Sequence, residues 1–510
     1  MTMRPRAIGS LTLFLALAMA LTTALHTEEV RVRPLRNVHK ALAHFHFATV
    51  DDASVYPLVL RQILTKYGVA SLRLSFSVGR YSDERFGPAR AVDAPLEGDG
   101  DWFHAPFGAR LDVELRGSSS KAERLQRWKG VTSELGGVFS ASLNQMDETT
   151  IVYAGAAKMS ASLAREELCT ENLTPWLKML PCRSHNGLGA LVDPIKLLSG
   201  DYLLLSIDAA RDAATGAFSL HQRLTTVQSL EDRPQWSLAD LLLSSQSASV
   251  VRACPLASSS QIVTEDVDRR AAFHVVDLQS QSGVSLTDVW SVPRPHPQEQ
   301  QEQSTPMRSP VAVHRYLTGH GQVHGGIAVL LENRHPNCAM DVVYRDVSPW
   351  YLRLYFHTLE TRLSTGDAVH NVSFQPAELR GRPNELQVAV RLPPQSTLTL
   401  SVQFDKAFVR LSEHPPDANR GFDVAPAVAE FFPVLTDSAA CATALATTQR
   451  SFTRVLHSEP LLVALPTPDF SMPYNVITLS STIIAFFVGT MLNTLLRKAP
   501  RVQRMLAEKP

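Results

Sequence analysis

Five cysteines, Cys169, Cys182, Cys254, Cys338 and Cys441, are the residues of this 510-residue chain most open to covalent chemistry. No two of them form a CxxC pair. That spacing offers neither a zinc ribbon nor a thioredoxin-like redox pair. In an oxidising compartment cysteines pair by default, and an odd number leaves one over. The leftover thiol then either bonds another chain or stays free and buried. His314, His320, His324 and His335 lie close together in sequence. No carboxylate or cysteine spacing joins them into a ligand set, so no metal is expected. There is no HExxH, no G-x-S-x-G and no Walker loop. The stretch 319–326, GHGQVHGG, lacks the Lys-Ser/Thr of a phosphate cradle and reads as a tight turn between strands. A Cys–His nucleophile pair would have to meet in space, and paired cysteines leave little for it. The chain is therefore expected to be non-catalytic, with no cofactor. Two sequons, Asn172-Leu173-Thr174 and Asn371-Val372-Ser373, offer N-glycosylation at Asn172 and Asn371 if they are translocated.

The two ends of the chain bear on that condition. Arg4 and Arg6 precede an apolar run over residues 11–21, LTLFLALAMAL, and small residues follow it. This is the pattern of a secretory signal peptide over residues 1–24; an uncleaved anchor is the other reading. Near the other end, Phe470 to Leu496 holds no charged residue. A helix over 474–496 would be about 34 Å long at roughly 1.5 Å per residue, enough to cross a hydrocarbon core of about 30 Å. Arg497, Lys498, Arg501 and Arg504 follow it, which places residues 497–510 on the cytoplasmic side as a tail. The expectation is a single-pass type I protein with a lumenal body. Asn475, Gly489 and Asn493 are polar or small positions in the span. They either contact partner helices or, with the neighbouring serines and threonines, mark an anchor whose hydroxyls bond their own backbone.

Lys plus Arg and Asp plus Glu number 49 each, so no global basic field points to nucleic acid. The hydrophobic fraction of 45% is enough for packed cores. Residues 70–78, 386–392 and 398–404 alternate apolar and polar, with Leu72, Leu74 and Phe76 sharing one face of the first. Residues 202–207 read as a buried strand, and 350–356, WYLRLYF, as an aromatic-rich one. Helical spacing appears at 56–67 and at 120–138, where Leu125, Trp128, Val131 and Leu135 share a stripe. The fold class expected is mainly β with some α (α+β): two β-rich, sandwich-like lumenal domains followed by one C-terminal transmembrane helix. Residues 293–310, PRPHPQEQQEQSTPMRSP, cannot bury enough surface to offset their ordering and read as a linker, or as a loop within one domain. The linker reading separates an N-terminal α+β domain, 27–292, from a second β-rich domain, 311–465.

Several separated blocks carry a resemblance. Residues 169–176 read CTENLTPW, and 180–182 LPC. Then come 253–257, ACPLA, 347–359, VSPWYLRLYFHTL, and 461–474, LLVALPTPDFSMPY, running into the apolar span. In this order they resemble the PIG-T family, a subunit of the GPI transamidase of the endoplasmic reticulum. The chain departs from the pattern in its Gln- and Pro-rich linker, in Cys338 and Cys441, and in His320 and His324. The resemblance implies a non-catalytic scaffold in the complex that attaches GPI anchors to the C-termini of precursor proteins. The catalytic cysteine would lie in a partner, a caspase- and legumain-like subunit, disulfide-linked to the cysteine that opens CTENLTPW, here Cys169. Other membrane subunits would be further partners, and contact with the GPI lipid or the precursor is left open. The same resemblance leaves four cysteines for internal bonds, with Cys182–Cys254 preferred. A type I cell-surface receptor or adhesion glycoprotein is the alternative; it would call for a longer tail than the fourteen residues 497–510.

Overall fold

A computed structural model describes residues 25–35, 39–50, 55–86, 104–117, 120–155, 157–184, 186–230, 235–244, 250–265, 273–293, 309–319, 321–366, 370–414, 417, 420–434, 454–467, 471–496 and 500–508. The expected signal peptide, most of the expected linker and Cys441 lie outside them. The architecture is mostly β, with one apolar C-terminal helix.

Ten strands from the first half make one sheet. In spatial order they are Phe273–Asp277, Ser259–Glu265, Leu25–Leu35, Lys40–Val50, Phe218–Ser229, Tyr202–Arg211, Val69–Val78, Gly108–Leu115, Lys158–Leu163 and Val152–Ala154. All neighbours are antiparallel except Leu25–Leu35 with Ser259–Glu265. Period-two alternation gives the sheet one apolar face, carrying Phe45, Phe47, Leu72, Leu74, Phe76, Leu111, Leu205 and Ile207. That face cannot stay in water, and helices cover it. Leu58–Lys66 buries Leu60, Ile63 and Leu64. Lys121–Phe139 buries Trp128, Val131, Leu135 and Phe139, after the Ser120 hydroxyl accepts the Glu123 N–H as N-cap. Thr170–Lys178 buries Leu173 and Trp176.

The opposite face divides in two. Leu42, Tyr202, Leu204 and Val227 join Tyr81 and Phe86 in a small apolar cluster. Further along, Arg73 and Arg223 both pair with Asp208, and His46 Nε2 lies 3.1 Å from His221 Nδ1. Burial, with Arg223 and His221 nearby, pushes His46 down to about 3, so this imidazole is neutral at any ordinary pH.

The second body is where the sandwich arrangement is found. A four-stranded sheet (Val311–Thr318, His324–Asn333, Ser396–Lys406, Leu352–Leu363) shares one core with a five-stranded sheet (His370–Gln375, Asn384–Leu392, Met340–Ser348, Val428–Pro433, Arg454–His457). Arg315 is buried in that core. Its guanidinium lies 2.9 Å from the Asp346 carboxylate and donates to the Ala425 carbonyl. The strand expected at 350–356 begins at Leu352, because the Leu352 N–H closes a turn on the Pro349 carbonyl.

Ion pairs join the two bodies. Glu459 meets Arg80 at 2.6 Å, and accepts from His314 Nδ1 at 3.1 Å and the Arg315 N–H at 2.7 Å. Burial alone would raise this carboxyl; the hydrogen bonds and Arg80 outweigh it and hold it at about 2. Arg334 pairs with Glu84, and Arg454 lies 3.4 Å from Asp83.

Trp176 seats its helix on the sheet. It is fully buried, its Nε1 donates to the Ser206 carbonyl at 3.0 Å, and its ring stands edge-on to Phe47. Trp176→Ala should lower unfolding stability by about 3–5 kcal/mol through loss of packing and a cavity. Trp176→Phe should cost less, roughly 1–3 kcal/mol, from the lost indole hydrogen bond and the smaller ring. Denaturant unfolding of the detergent-purified chain measures both. Midpoints equal to that of the unsubstituted chain would show that the helix is not held this way.

Candidate functional site

Cys169 is the N-cap of the helix Thr170–Lys178, with extended backbone at φ −137°. Ser, Thr, Asp or Asn usually fills that place, because the first turn of a helix leaves N–H groups without partners. Here the cysteine and Asn172 cap each other. The Cys169 N–H donates to Asn172 Oδ1 at 2.9 Å, and the thiol lies 3.1 Å from the same oxygen. Asn172 Nδ2 donates to the carbonyl of Phe139, the last residue of the long helix, at 2.7 Å. Leu173 and Trp176 face the core from the next turn, and Gln222 Nε2 donates to the Trp176 carbonyl at 3.0 Å. The position of the sulfur is thus set by two helix ends and the sheet beneath them.

Cys169 is half-buried and carries a free thiol. Burial, and then the Glu171 side chain, push the thiol up from its ordinary value, against weaker pulls from backbone N–H groups. It is protonated at neutral pH and is a slow nucleophile in the isolated chain.

Cys182 and Cys254 form a disulfide, with Cα atoms 5.7 Å apart and 72 residues of separation. On the chain-entropy model a loop of that length removes roughly 4 kcal/mol of freedom from the unfolded chain. The bond lies against a buried pair, His26 and Glu28, whose Nε2 and Oε1 are 3.5 Å apart. Glu28 also accepts from the Leu188 N–H and the Ser260 hydroxyl. His26, Glu28 and Cys254 are close enough together to suggest a metal set, but the Cys254 sulfur is already bonded. Cys338 is disulfide-bonded as well.

The histidines noted in the sequence do not converge. His314 is held by Glu459, exposed His324 pairs with Asp405, and His335 accepts from the N–H groups of Asn337 and Cys338. His320 lies outside the described residues.

The two sequons differ sharply. Asn371 is exposed, on a strand at the edge of the five-stranded sheet. Asn172 is 1% exposed, and the nitrogen a sugar would occupy is spent on Phe139. A glycan on Asn172 would have to break that buried hydrogen bond, whereas one on Asn371 would not.

The helix Ser471–Leu496 contains a 23-residue stretch, Tyr474–Leu496, long and apolar enough to cross a membrane. At about 100° per residue Asn475 and Asn493 lie in line, with Gly489 roughly 40° away, so the three share a face. Four threonines satisfy themselves on the helix backbone: Thr478, Thr482, Thr490 and Thr494 each donate to the carbonyl four residues earlier.

One feature has no sequence counterpart. A cleft of about 960 Å³ lies between the polar face of the ten-stranded sheet and the second body. Arg73, Arg110, Asp112 and Asp208 line it from the first, and Arg345, Phe422, Glu430 and His457 from the second. Its charges are largely paired, Arg110 with Asp112 at 2.9 Å and Arg345 with Glu430 at 2.7 Å. No described cysteine lines it. Arginines paired across neighbouring strands, Arg73 with Asp208 and Arg345 with Glu430, are visible in sequence only once the register is known.

A family model described as Gpi16 subunit, GPI transamidase component, matches residues 10–237 and 233–509. The chain is 30% identical over 538 residues to the GPI-anchor transamidase component PIGT of Mus musculus, covering 92% of this chain and 89% of that protein. It is 30% identical over 539 residues to that of Homo sapiens, covering 92% and 90%. The GPI transamidase component PIG-T homolog of Schizosaccharomyces pombe is 26% identical over 507 residues, covering 89% and 84%.

The contrast between the sequons sets an outcome. Glycosidase treatment of the protein from its own host should shift gel mobility by one glycan step, and Asn371→Gln should remove that shift. A shift of two steps, or one that survives Asn371→Gln, would contradict the burial of Asn172.

Proposed function

The chain belongs to the Gpi16 family of GPI transamidase components, and from that membership we propose its part in the complex. It is a non-catalytic frame of the complex that attaches GPI anchors. It stands in the endoplasmic reticulum membrane by the helix Ser471–Leu496, with its body in the lumen. Its Cys169 makes a disulfide with the caspase- and legumain-like subunit that carries out the chemistry. The observation that carries this reading is the state of the cysteines. Cys182, Cys254 and Cys338 are bonded, whereas Cys169 is half-buried at the N-terminus of a helix and free.

Forming the bond removes two protons and two electrons from two thiols. A disulfide-carrying oxidant of the secretory lumen takes both and becomes a dithiol. The bond does no catalysis. It keeps the subunits together when noncovalent contacts open, at an effective concentration near mM for a short tether. The face carrying Asn475, Gly489 and Asn493 packs on the other membrane subunits. Small residues allow close approach there, and the two amides find partners that lipid does not supply.

On a non-reducing gel the native protein should run as a covalent heterodimer that reductant separates. Cys169→Ser should run alone yet still co-purify with the catalytic subunit, with transamidation reduced severalfold and not abolished. A heterodimer that survives Cys169→Ser would place the link at another cysteine. A chain that runs alone without substitution would remove the covalent tether from the account.

A further inference from the structure

We propose that Asn172 is a positioning residue for the Cys169 thiol and not a carrier of sugar; this rests on the reading of Cys169 as the interchain cysteine. The Asn172 amide has a fixed orientation, because each of its partners can play only one role. The Phe139 carbonyl can only accept, so Nδ2 faces it; the Cys169 N–H can only donate, so Oδ1 faces that. With both ends of the amide engaged in a buried site, the side chain cannot turn. Its oxygen is left 3.1 Å from the Cys169 sulfur, where it accepts the thiol proton.

Three consequences follow for the sulfur. The capping bond fixes the backbone of Cys169 in its extended form, which sets where the Cα–Cβ bond points. The bond to Phe139 ties the start of the cysteine helix to the end of the long helix, so the sulfur moves only if that junction opens. Burial and then Glu171 favour the protonated form of the thiol, and an oxygen placed to accept the thiol proton acts in the same direction. A thiol held in this way exchanges slowly with stray disulfides yet is already in position for a partner whose own thiolate or mixed disulfide arrives at it.

The sequon supplies a clean test, because its asparagine and its threonine can be changed separately. Thr174 is exposed, and its hydroxyl donates to the Thr170 carbonyl. Thr174→Ala destroys the acceptor pattern but leaves Asn172 in place. The proposal predicts unchanged gel mobility and unchanged heterodimer for Thr174→Ala. Asn172 itself is read by the pH profile of alkylation of Cys169 in the full chain, purified in detergent without its partner. Asn172→Ala removes the acceptor, so the inflection should move down and the rate at neutral pH should rise about three- to tenfold. Asn172→Asp places a carboxylate beside the sulfur, so the inflection should move up and the rate should fall. A merely structural role would shift both variants the same way, toward an exposed ordinary thiol. Faster migration of Thr174→Ala would show a lost glycan and overturn the proposal. Shifts of the two Asn172 variants in one direction, or none, would overturn it as well. If Cys169→Ser leaves the heterodimer intact, the reading of Cys169 fails instead, and the alkylation profiles still decide the role of Asn172.

Discussion

The apolar face of the ten-stranded sheet is the constraint from which the rest follows. Phe45, Phe47, Phe76 and Ile207 lie on it, and water must be kept from them. The helices Lys121–Phe139 and Thr170–Lys178 do so, and covering the sheet decides where their ends lie. Trp128 and Trp176 are both fully buried, and each spends its indole N–H on a backbone carbonyl, that of Met146 and that of Ser206. Once those anchors are set, Phe139 and Cys169 come within reach of one asparagine. The placing of the half-buried sulfur is a by-product of core packing. That is why it can be placed on a helix end without a loop to carry it.

Keeping this thiol apart from the chain's own crosslinks is the second requirement. Cys182 follows the cysteine helix by only a few residues, and a wrong bond between Cys169 and Cys182 would be short in sequence. In the folded chain Cys182 is instead bonded to fully buried Cys254, beside the His26–Glu28 pair. Glu28 crowds Gly187, whose φ of +79° and lack of a Cβ let the backbone pass between that carboxylate and Cys182. On its proposed placement in the membrane, the apolar helix Ser471–Leu496 meets a different solvent. Its threonines turn to their own carbonyls, and the amides of Asn475 and Asn493 are groups that lipid cannot satisfy.

Much of this could be read from the residues. The alternation of Leu72, Leu74 and Phe76 sets the faces of Val69–Val78, and the stripe through Trp128 and Leu135 marks the long helix within a residue at each end. The charge-free run to Leu496 marks the apolar helix. What could not be read depends on distant pairing. Nothing local tells that Leu25–Leu35 takes Ser259–Glu265 as a parallel neighbour, or that the first body would cover its sheet with helices. The cleft between the bodies needs the register of Arg73, Arg110 and Asp208 across neighbouring strands. The burial of Asn172 was not legible either, because a three-residue sequon carries no information on burial. The neighbouring Trp176 was the available hint that this segment faces a core.

The central claim is that the fold completes its own disulfides and holds Cys169 out for another chain. Proteolysis of the intact complex under non-reducing conditions, with thiols blocked beforehand and linked peptides identified by mass spectrometry, tests it most directly. The account predicts a Cys182 peptide joined to the Cys254 peptide, and a Cys169 peptide joined to a sequence foreign to this chain. A Cys169 peptide joined to any other cysteine of this chain, or recovered blocked as a free thiol, would contradict it.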